Sequence, residues 1–330
     1  MIADHGAKYA GGMKRLSADK NETPLTLPNF LIVGAAKCGT TSLYHYLSQH
    51  PDVFMSLLKE PRFFSGIVSN PGTGPGDSMN SYAGIGSFDE YSRLFKKSMG
   101  RKTVGEASTE TLFHFESSIP AIHRSLGDPR IVIVLRDPVK RAYSAYNFQV
   151  QRGRESLSFK DAVAAEEQRT RNGYSHSWQY VKSGLYASGV SAFQENFSRV
   201  LVLLYDDLEK DALSLLRSLY LFLDVDPGFI PDVKHKHNVS GIPRWRLLGD
   251  LFSKPKRLHK AVRTVGEGIL GKHRWVRLRE RLHSTILHKP RPMDPDIELQ
   301  LRQYYREDIL KLQGYISRDL SAWLEGRKHP

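Results

Sequence analysis

The feature that most narrows the fold of this 330-residue chain lies near its N-terminus. Phe30-Leu31-Ile32-Val33 is a short continuous apolar run, which predicts a fully buried strand. It leads into Gly34-Ala35-Ala36-Lys37-Cys38-Gly39-Thr40-Thr41, a small-residue loop with two glycines five positions apart. A helical pattern follows from about Thr41 to Gln49, with Leu43, Tyr46 and Leu47 on one face. A buried strand, a tight loop and a helix open a parallel α/β unit. The glycines let backbone N–H groups turn inward and the helix start adds partial positive charge, so the loop suits a phosphate-like anion. An ordinary tight strand-to-helix turn is the plainer alternative.

The rest of the chain repeats the pattern. Lys102–Glu106 reads as a short strand, Arg130–Leu135 as the strongest strand, and Val200–Tyr205 as a third. Helices are expected after Arg136, with Pro138 in the first turn, and over Ala212–Leu223. Buried strands alternating with helices predict an α/β fold of the P-loop-containing nucleotide-binding kind, its central parallel sheet flanked by helices on both faces. Ser65–Gly86, rich in Gly, Ser, Pro and Asn, reads as a long mobile loop. Residues 1–28 are polar and without periodicity, a tail expected to be disordered and to carry no leader. Residues 29–330 then form one domain, with 245–330 a basic helical C-terminal extension.

Charge adds a second constraint. The net charge is +13, and residues 232–291 hold 16 Lys/Arg against 4 Asp/Glu, while the remainder is balanced at 32 against 31. An anionic partner is implied: nucleotide, acidic acceptor or membrane surface. Within the strip, Leu247, Leu248, Leu251 and Phe252, and then Trp275, Leu278, Leu282 and Ile286, fit amphipathic basic helices. No docking motif for nucleic acid accompanies the charge, so a nucleic-acid-binding protein is a weaker alternative. The single cysteine, Cys38, permits no intrachain disulfide and suits a reducing compartment. No run approaches the roughly 18 apolar residues of a membrane span. A cytoplasmic setting is expected, with a peripheral membrane position as the variant through residues 245–291.

Two details refine the anion site. In the nucleoside-triphosphate loop a lysine follows the second glycine; here Thr40 stands there and the lysine is inside the loop, at Lys37. Arg136-Asp137 is also a poor metal-holding strand end, so a P-loop kinase or NTPase is an alternative rather than the leading reading. Arg136 falls at the C-terminal end of the strongest strand, where open parallel sheets bind ligands, and Ser144 follows eight residues on. Together they suit a second phosphate, unless Arg136 pairs with a carboxylate such as Asp137. No metal-ligand cluster is visible, and no metal is expected.

The Lys37–Ser42 loop, the Lys59-Glu60-Pro61-Arg62-Phe63-Phe64 segment and the Arg136/Ser144 pair together resemble the sulfotransferase family that uses 3′-phosphoadenosine 5′-phosphosulfate, nearest to its heparan-sulfate-type and bacterial carbohydrate branch. The resemblance spans roughly residues 29–245. It implies transfer of a sulfuryl group to a hydroxyl or amine of a carbohydrate, a lipid-linked or a small-molecule acceptor. By the same resemblance, Lys37, Cys38, Gly39, Thr40, Thr41 and Ser42 hold the 5′-phosphosulfate, and Arg136 and Ser144 the 3′-phosphate. The stretch Asn238–Arg244, with Ser240, Gly241 and Arg244, resembles the late loop over the nucleotide. Ser240 stands where relatives carry a lysine or arginine, so Lys236 or Arg244 supplies that charge. Lys37 is expected to shield the leaving oxygen, Lys59 to sit near the sulfuryl group, and Glu106 to act as base, with His114 the runner-up. Ala107 follows Glu106 where relatives commonly carry lysine. Phe63 and Phe64 read as core; Trp178 and Tyr180 suit either the core or the wall of an acceptor cleft, with the core the plainer reading; Ser188 reads as a helix cap.

Overall fold

The computed structural model describes residues 27–78, 84–98, 100–233, 242–243, 287–288 and 292–325. Lys236, Ser240, Gly241, Arg244 and nearly all of the basic strip lie outside them.

Five parallel strands form the central sheet: β1 (Phe30–Gly34), β2 (Val53–Met55), β3 (Thr103–Ala107), β4 (Arg130–Leu135) and β5 (Val200–Leu204), in the order β2-β3-β1-β4-β5. Every residue of β1 and β3 is buried, as a continuous apolar run in a two-sided sheet demands. Phe30 stands opposite Gly105 on one side and Arg130 on the other. A Cβ on Gly105 would fall 2.2 Å from the Phe30 ring, so only glycine lets these strands pack. The chain lays β2 and β3 to one side of β1 and then crosses to lay β4 and β5 on the other. The crevice at such a switch point, beyond the carboxyl ends of the strands, is where open α/β sheets bind ligands.

The flanking helices include α1 (Thr40–Leu47), α2 (Phe88–Arg93), α3 (Phe115–Leu126), α4 (Pro138–Gln151), α5 (Phe159–Ala164), α6 (Glu166–Arg171), α7 (Ala187–Asn196), α8 (Tyr205–Lys210) and α9 (Ala212–Phe222). Asp137 caps α4 by accepting from the Val139 and Lys140 amides, with Pro138 at the first position. Tyr205, expected to close the third strand, instead begins α8. The short strand β2 has three residues, too few to carry a periodicity that marks it in the sequence.

Two differences bear on the site. The 65–78 part of the expected mobile loop is anchored: Asp77, 1 % exposed, accepts from the Gly74 and Ser175 amides, the Ser175 hydroxyl and the Trp178 indole. The C-terminal region contributes α10 (Pro295–Ile316), which is core rather than appendage. Ile297, Leu301, Tyr305, Ile309 and Leu312 form its buried face. The Tyr305 hydroxyl donates to the Val181 carbonyl at 2.8 Å, and Asp308 accepts from the Tyr186 and Ala187 amides at 2.7 and 3.1 Å. Asp308 therefore caps α7; Ser188, in the first turn, does not. No helix among the described residues is long and apolar enough to cross a membrane.

Candidate active site

The loop after β1 is shaped by two left-handed residues, Lys37 at φ 71° and Gly39 at φ 85°. At Gly39 a Cβ would also lie 2.8 Å from the Tyr205 ring. The helix that follows has no side-chain cap and no acidic residue in its first turn, so its positive end is left to an anion. Buried Arg141 ties the loop to the body, donating to the Ala36 carbonyl at 3.1 Å and the Tyr180 carbonyl at 3.0 Å. Arg136 donates to the Lys37 carbonyl at 3.4 Å and lies 4.5 Å over the Tyr205 ring. The Lys37 ammonium is 4.2 Å from the Phe148 ring centre. Burial first, and then the charges of Arg141, Arg136 and Arg152, bring the Lys37 pKa down to about 8. Cations crowded in this way favour a multiply charged anion among them.

At the end of β3 lies a second cluster. Glu60 and Arg62 both have positive φ, 64° and 58°, on either side of Pro61. This double left-handed kink folds the Lys59–Arg62 segment back onto the strand end. There the Glu60 amide donates to the Ala107 carbonyl at 3.0 Å, and the Arg62 amide to the Ser108 hydroxyl at 3.0 Å. The Glu60 carboxylate accepts from the Thr109 amide at 3.1 Å and pairs with Lys59 at 2.5 Å. The Ser108 hydroxyl donates to Glu106 at 2.8 Å, and Arg62 approaches Glu110 to 4.0 Å.

Three carboxyls in one place cannot all ionise, and their surroundings separate them. Burial opposes charge on Glu60, but the Lys59 charge, hydrogen bonds with Lys59 and Glu110, and the Arg62 charge outweigh it and hold Glu60 below the usual carboxylate range. Glu106 is 2 % exposed. Burial, aided by the Glu60 charge and opposed by Ser108 and Lys59, pushes its pKa up to about 8. Glu110 is driven well above the usual range by burial and by Glu60. At neutral pH, Glu60 is the ionised member of the set, and its side chain is 20 % exposed.

Beside Ala35, Ala36 and Thr109 opens a cavity of about 370 Å³, walled also by Phe113, Arg141, His176 and Tyr186 among others. Burial and the charges of nearby groups bring the His176 pKa down to about 3, so this wall residue is neutral. His114 faces it at 5.3 Å between ring centres and is likewise shifted down by burial.

The residues singled out from sequence fall as follows. Lys37 and Arg136 are brought together at the loop, and Arg136 pairs with the Lys37 carbonyl and Tyr205 rather than with Asp137. Thr40 is buried, Thr41 and Ser42 are half-buried in the first turn of α1, and Ser144 is half-buried in the second turn of α4. Cys38 is fully buried, its amide donating to Ala35 and its thiol 3.8 Å from the Tyr186 hydroxyl. Lys59 and Glu106 share the carboxylate cluster, which Glu60 joins to Thr109. Glu60 lies inside the Lys59–Phe64 segment, but nothing local in the sequence marks it as a candidate base. Phe64, Trp178 and Tyr180 are core, and Phe63 is partly buried against it.

Comparisons with known proteins agree with this architecture. Residues 28–229 match the model of the sulfotransferase family. The chain is 34% identical to a crystallographic sulfotransferase from Alicyclobacillus acidocaldarius, covering 90% of this chain and 99% of that one with a TM-score of 0.71. It is 32% identical over 127 residues to the membrane-associated sulfotransferase kil1 of Dictyostelium discoideum, 38% of this chain and 24% of that protein. It is 25% identical over 322 residues to human bifunctional heparan sulfate N-deacetylase/N-sulfotransferase 3, 92% of this chain and 32% of that protein. The chain thus spans about a quarter to a third of the length of these curated relatives.

Proposed function

This chain belongs to the sulfotransferase family, and from that premise we propose that it moves the sulfuryl group of 3′-phosphoadenosine 5′-phosphosulfate to a hydroxyl or amine of a carbohydrate, lipid-linked or small-molecule acceptor. The observation that carries the reading is the placement, at the carboxyl ends of the adjacent parallel strands β1 and β3, of a cationic loop and an ionised carboxylate. The donor supplies a sulfuryl group attached to a phosphate leaving group. The loop amides and the start of α1 hold the 5′-phosphate, and Arg136 with Ser144 takes the 3′-phosphate. Lys37 offers its ammonium to the bridging oxygen, where charge grows as the S–O bond breaks.

The acceptor proton goes to a carboxylate. Glu60 meets the requirements of a base: it is ionised, partly exposed, and fixed by Thr109 and Lys59. Glu106, the expectation from sequence, is the second candidate; its raised pKa suits it to keep Ser108 and the Arg62 amide in register. The cavity beside Thr109 is where the acceptor would enter. The basic stretch 245–291 is a surface for an acidic acceptor or an anionic membrane, in a cytoplasmic or peripheral setting. A kinase or NTPase reading finds no lysine after Gly39.

Isothermal titration with 3′-phosphoadenosine 5′-phosphate tests the donor half. Binding on the order of tens of micromolar or tighter, lost in the Lys37→Ala/Arg136→Ala double variant, supports the reading. Absence of binding, or magnesium-dependent ATP turnover by the pure protein, overturns it. Labelled-sulfate transfer into fractionated cell extract then identifies the acceptor class.

A further inference from the structure

Phe148 lies in the last turn of α4, half-buried, and two cations share its ring. Lys37 Nζ is 4.2 Å from the ring centre and the Arg152 guanidinium carbon is also 4.2 Å from it. We propose that Phe148 is a positioning residue whose ring face holds the Lys37 ammonium at the mouth of the phosphate loop. The inference rests on the reading of Lys37 as the leaving-group cation.

The charged groups that act on Lys37 are Arg136 at the end of β4, Arg141 within α4 and Arg152 at the end of α4, all repulsive, with only Cys38 opposing them. Among the described residues no carboxylate pairs with its ammonium. A lysine stem has four flexible carbons, so repulsion alone would send the ammonium out into water. The negative face of an aromatic ring provides an attraction that an aliphatic side chain does not. It does so without occupying a hydrogen bond, so the three N–H donors stay available to a phosphate oxygen. Arg152, on the same ring, is pushed by Arg154 and Arg62, and Arg62 adjoins the carboxylate cluster. Phe148 therefore joins Lys37 of the loop to Arg152 at the end of α4 through one ring.

The sign of a pKa change separates this role from simple packing. Loss of the ring's attraction disfavours the ammonium and lowers the Lys37 midpoint. A ring that only fills space would, when trimmed, admit water and raise it. The test is a ¹³C-lysine NMR titration of the full chain, with Lys37→Arg identifying the resonance. Phe148→Leu is expected to lower the midpoint by about half a pKa unit, and Phe148→Tyr to restore it. In hydrolysis of 3′-phosphoadenosine 5′-phosphosulfate, with water as acceptor, Phe148→Leu should cut kcat about fivefold to tenfold while the Kd for 3′-phosphoadenosine 5′-phosphate stays within about twofold. A midpoint that rises or does not move in folded Phe148→Leu overturns the proposal. If that variant does not fold, Phe148→Met, which keeps most of the volume and removes the ring face, decides: a lower midpoint supports the proposal, an equal or higher one overturns it. Failure of the wild-type chain to bind 3′-phosphoadenosine 5′-phosphate would sink the functional reading instead, and leaves the titration result intact.

Discussion

The amide and the hydroxyl of Thr109 both donate to the carboxylate of Glu60, at 3.1 and 3.2 Å. Thr109 also lines the cavity beside the phosphate loop, so the ionised carboxylate is fixed from the side on which an acceptor would approach. The Lys59 ion pair, a hydrogen bond with Glu110 and the Arg62 charge outweigh burial and leave Glu60 charged at neutral pH while its neighbours are not. Glu60→Gln keeps the shape and removes the charge. It is expected to reduce sulfuryl transfer by about 10²–10⁴ in kcat while leaving 3′-phosphoadenosine 5′-phosphate affinity within a few fold. Glu106→Gln, replacing a carboxyl already protonated at pH 7, should cost far less. Side-by-side kcat values for the two variants decide which carboxyl takes the proton; the reverse ranking returns the role to Glu106.

Glu106 also makes a prediction about stability. Its folded-state pKa, about 8, lies above the ordinary value of 4.5. Between those values the folded chain holds a proton that the unfolded chain has released. Stability from this group is therefore full below about pH 4.5 and falls as pH rises toward about 8, with a slope of up to about 1.4 kcal/mol per pH unit. Glu106→Gln removes that slope. Its melting temperature should exceed that of wild type at pH 8 and approach it at pH 5, read by thermal melts across that range on the order of one pH unit apart.

Lys37 titrates in the opposite sense to a salt-bridged lysine. Its pKa of about 8 means that half of it is neutral at that pH in the free protein. A bound anion favours the ammonium, so binding near pH 8 to 9 must draw in a proton. Calorimetric titrations of 3′-phosphoadenosine 5′-phosphate in buffers of different ionisation enthalpy should register uptake there and much less at pH 6. Lys37→Arg, which does not titrate, should abolish the difference. Uptake that persists in Lys37→Arg assigns the proton to another group.

Much of this site was readable in advance and part of it was not, for physical reasons. The loop from Gly34 to Thr41 announces itself because glycine spacing and the change from apolar run to helical pattern are local properties. The same holds for Arg136, fixed by the strongest strand. Glu60 was hidden because its role depends on positive φ at Glu60 and Arg62, two non-glycine residues that no propensity marks for that conformation. Asp77 reads as one acid in a polar loop; only the fold brings Ser175 and Trp178 to it. The helix Pro295–Ile316 did leave a signal. Ile297, Leu301, Tyr305 and Ile309 recur every fourth residue, and the surrounding charge drew the reading toward a basic extension.

That helix supports the site at a distance. Asp308 accepts from the Tyr186 and Ala187 amides, and Tyr186 in turn donates its hydroxyl to the Arg136 carbonyl at 3.1 Å. Asp308→Ala removes a cap from α7 and leaves two inner amides without their acceptor. It should lower stability by about 1–2 kcal/mol, measured by denaturant melts, and weaken nucleotide binding only modestly. Asp308→Asn, which still accepts, should recover most of the loss.

The charge of the chain supplies the last expectation. Lys37 lies in the loop after β1, and Arg136 and Arg141 donate to its carbonyls, yet none of them belongs to the stretch 232–291 that carries 16 Lys/Arg against 4 Asp/Glu. If that stretch served the donor, reversing its charges would weaken nucleotide binding. If it receives an acidic acceptor, the donor site should not respond. Charge reversal of Lys256, Arg257 and Lys260 together is therefore expected to raise the acceptor KM, with the effect shrinking as salt is raised. The Kd for 3′-phosphoadenosine 5′-phosphate should stay within about twofold. Binding to vesicles containing anionic lipid, compared between the variant and wild type, distinguishes a membrane from a soluble acid. Equal loss of donor and acceptor affinity would show that residues 245–291 are also part of the nucleotide site.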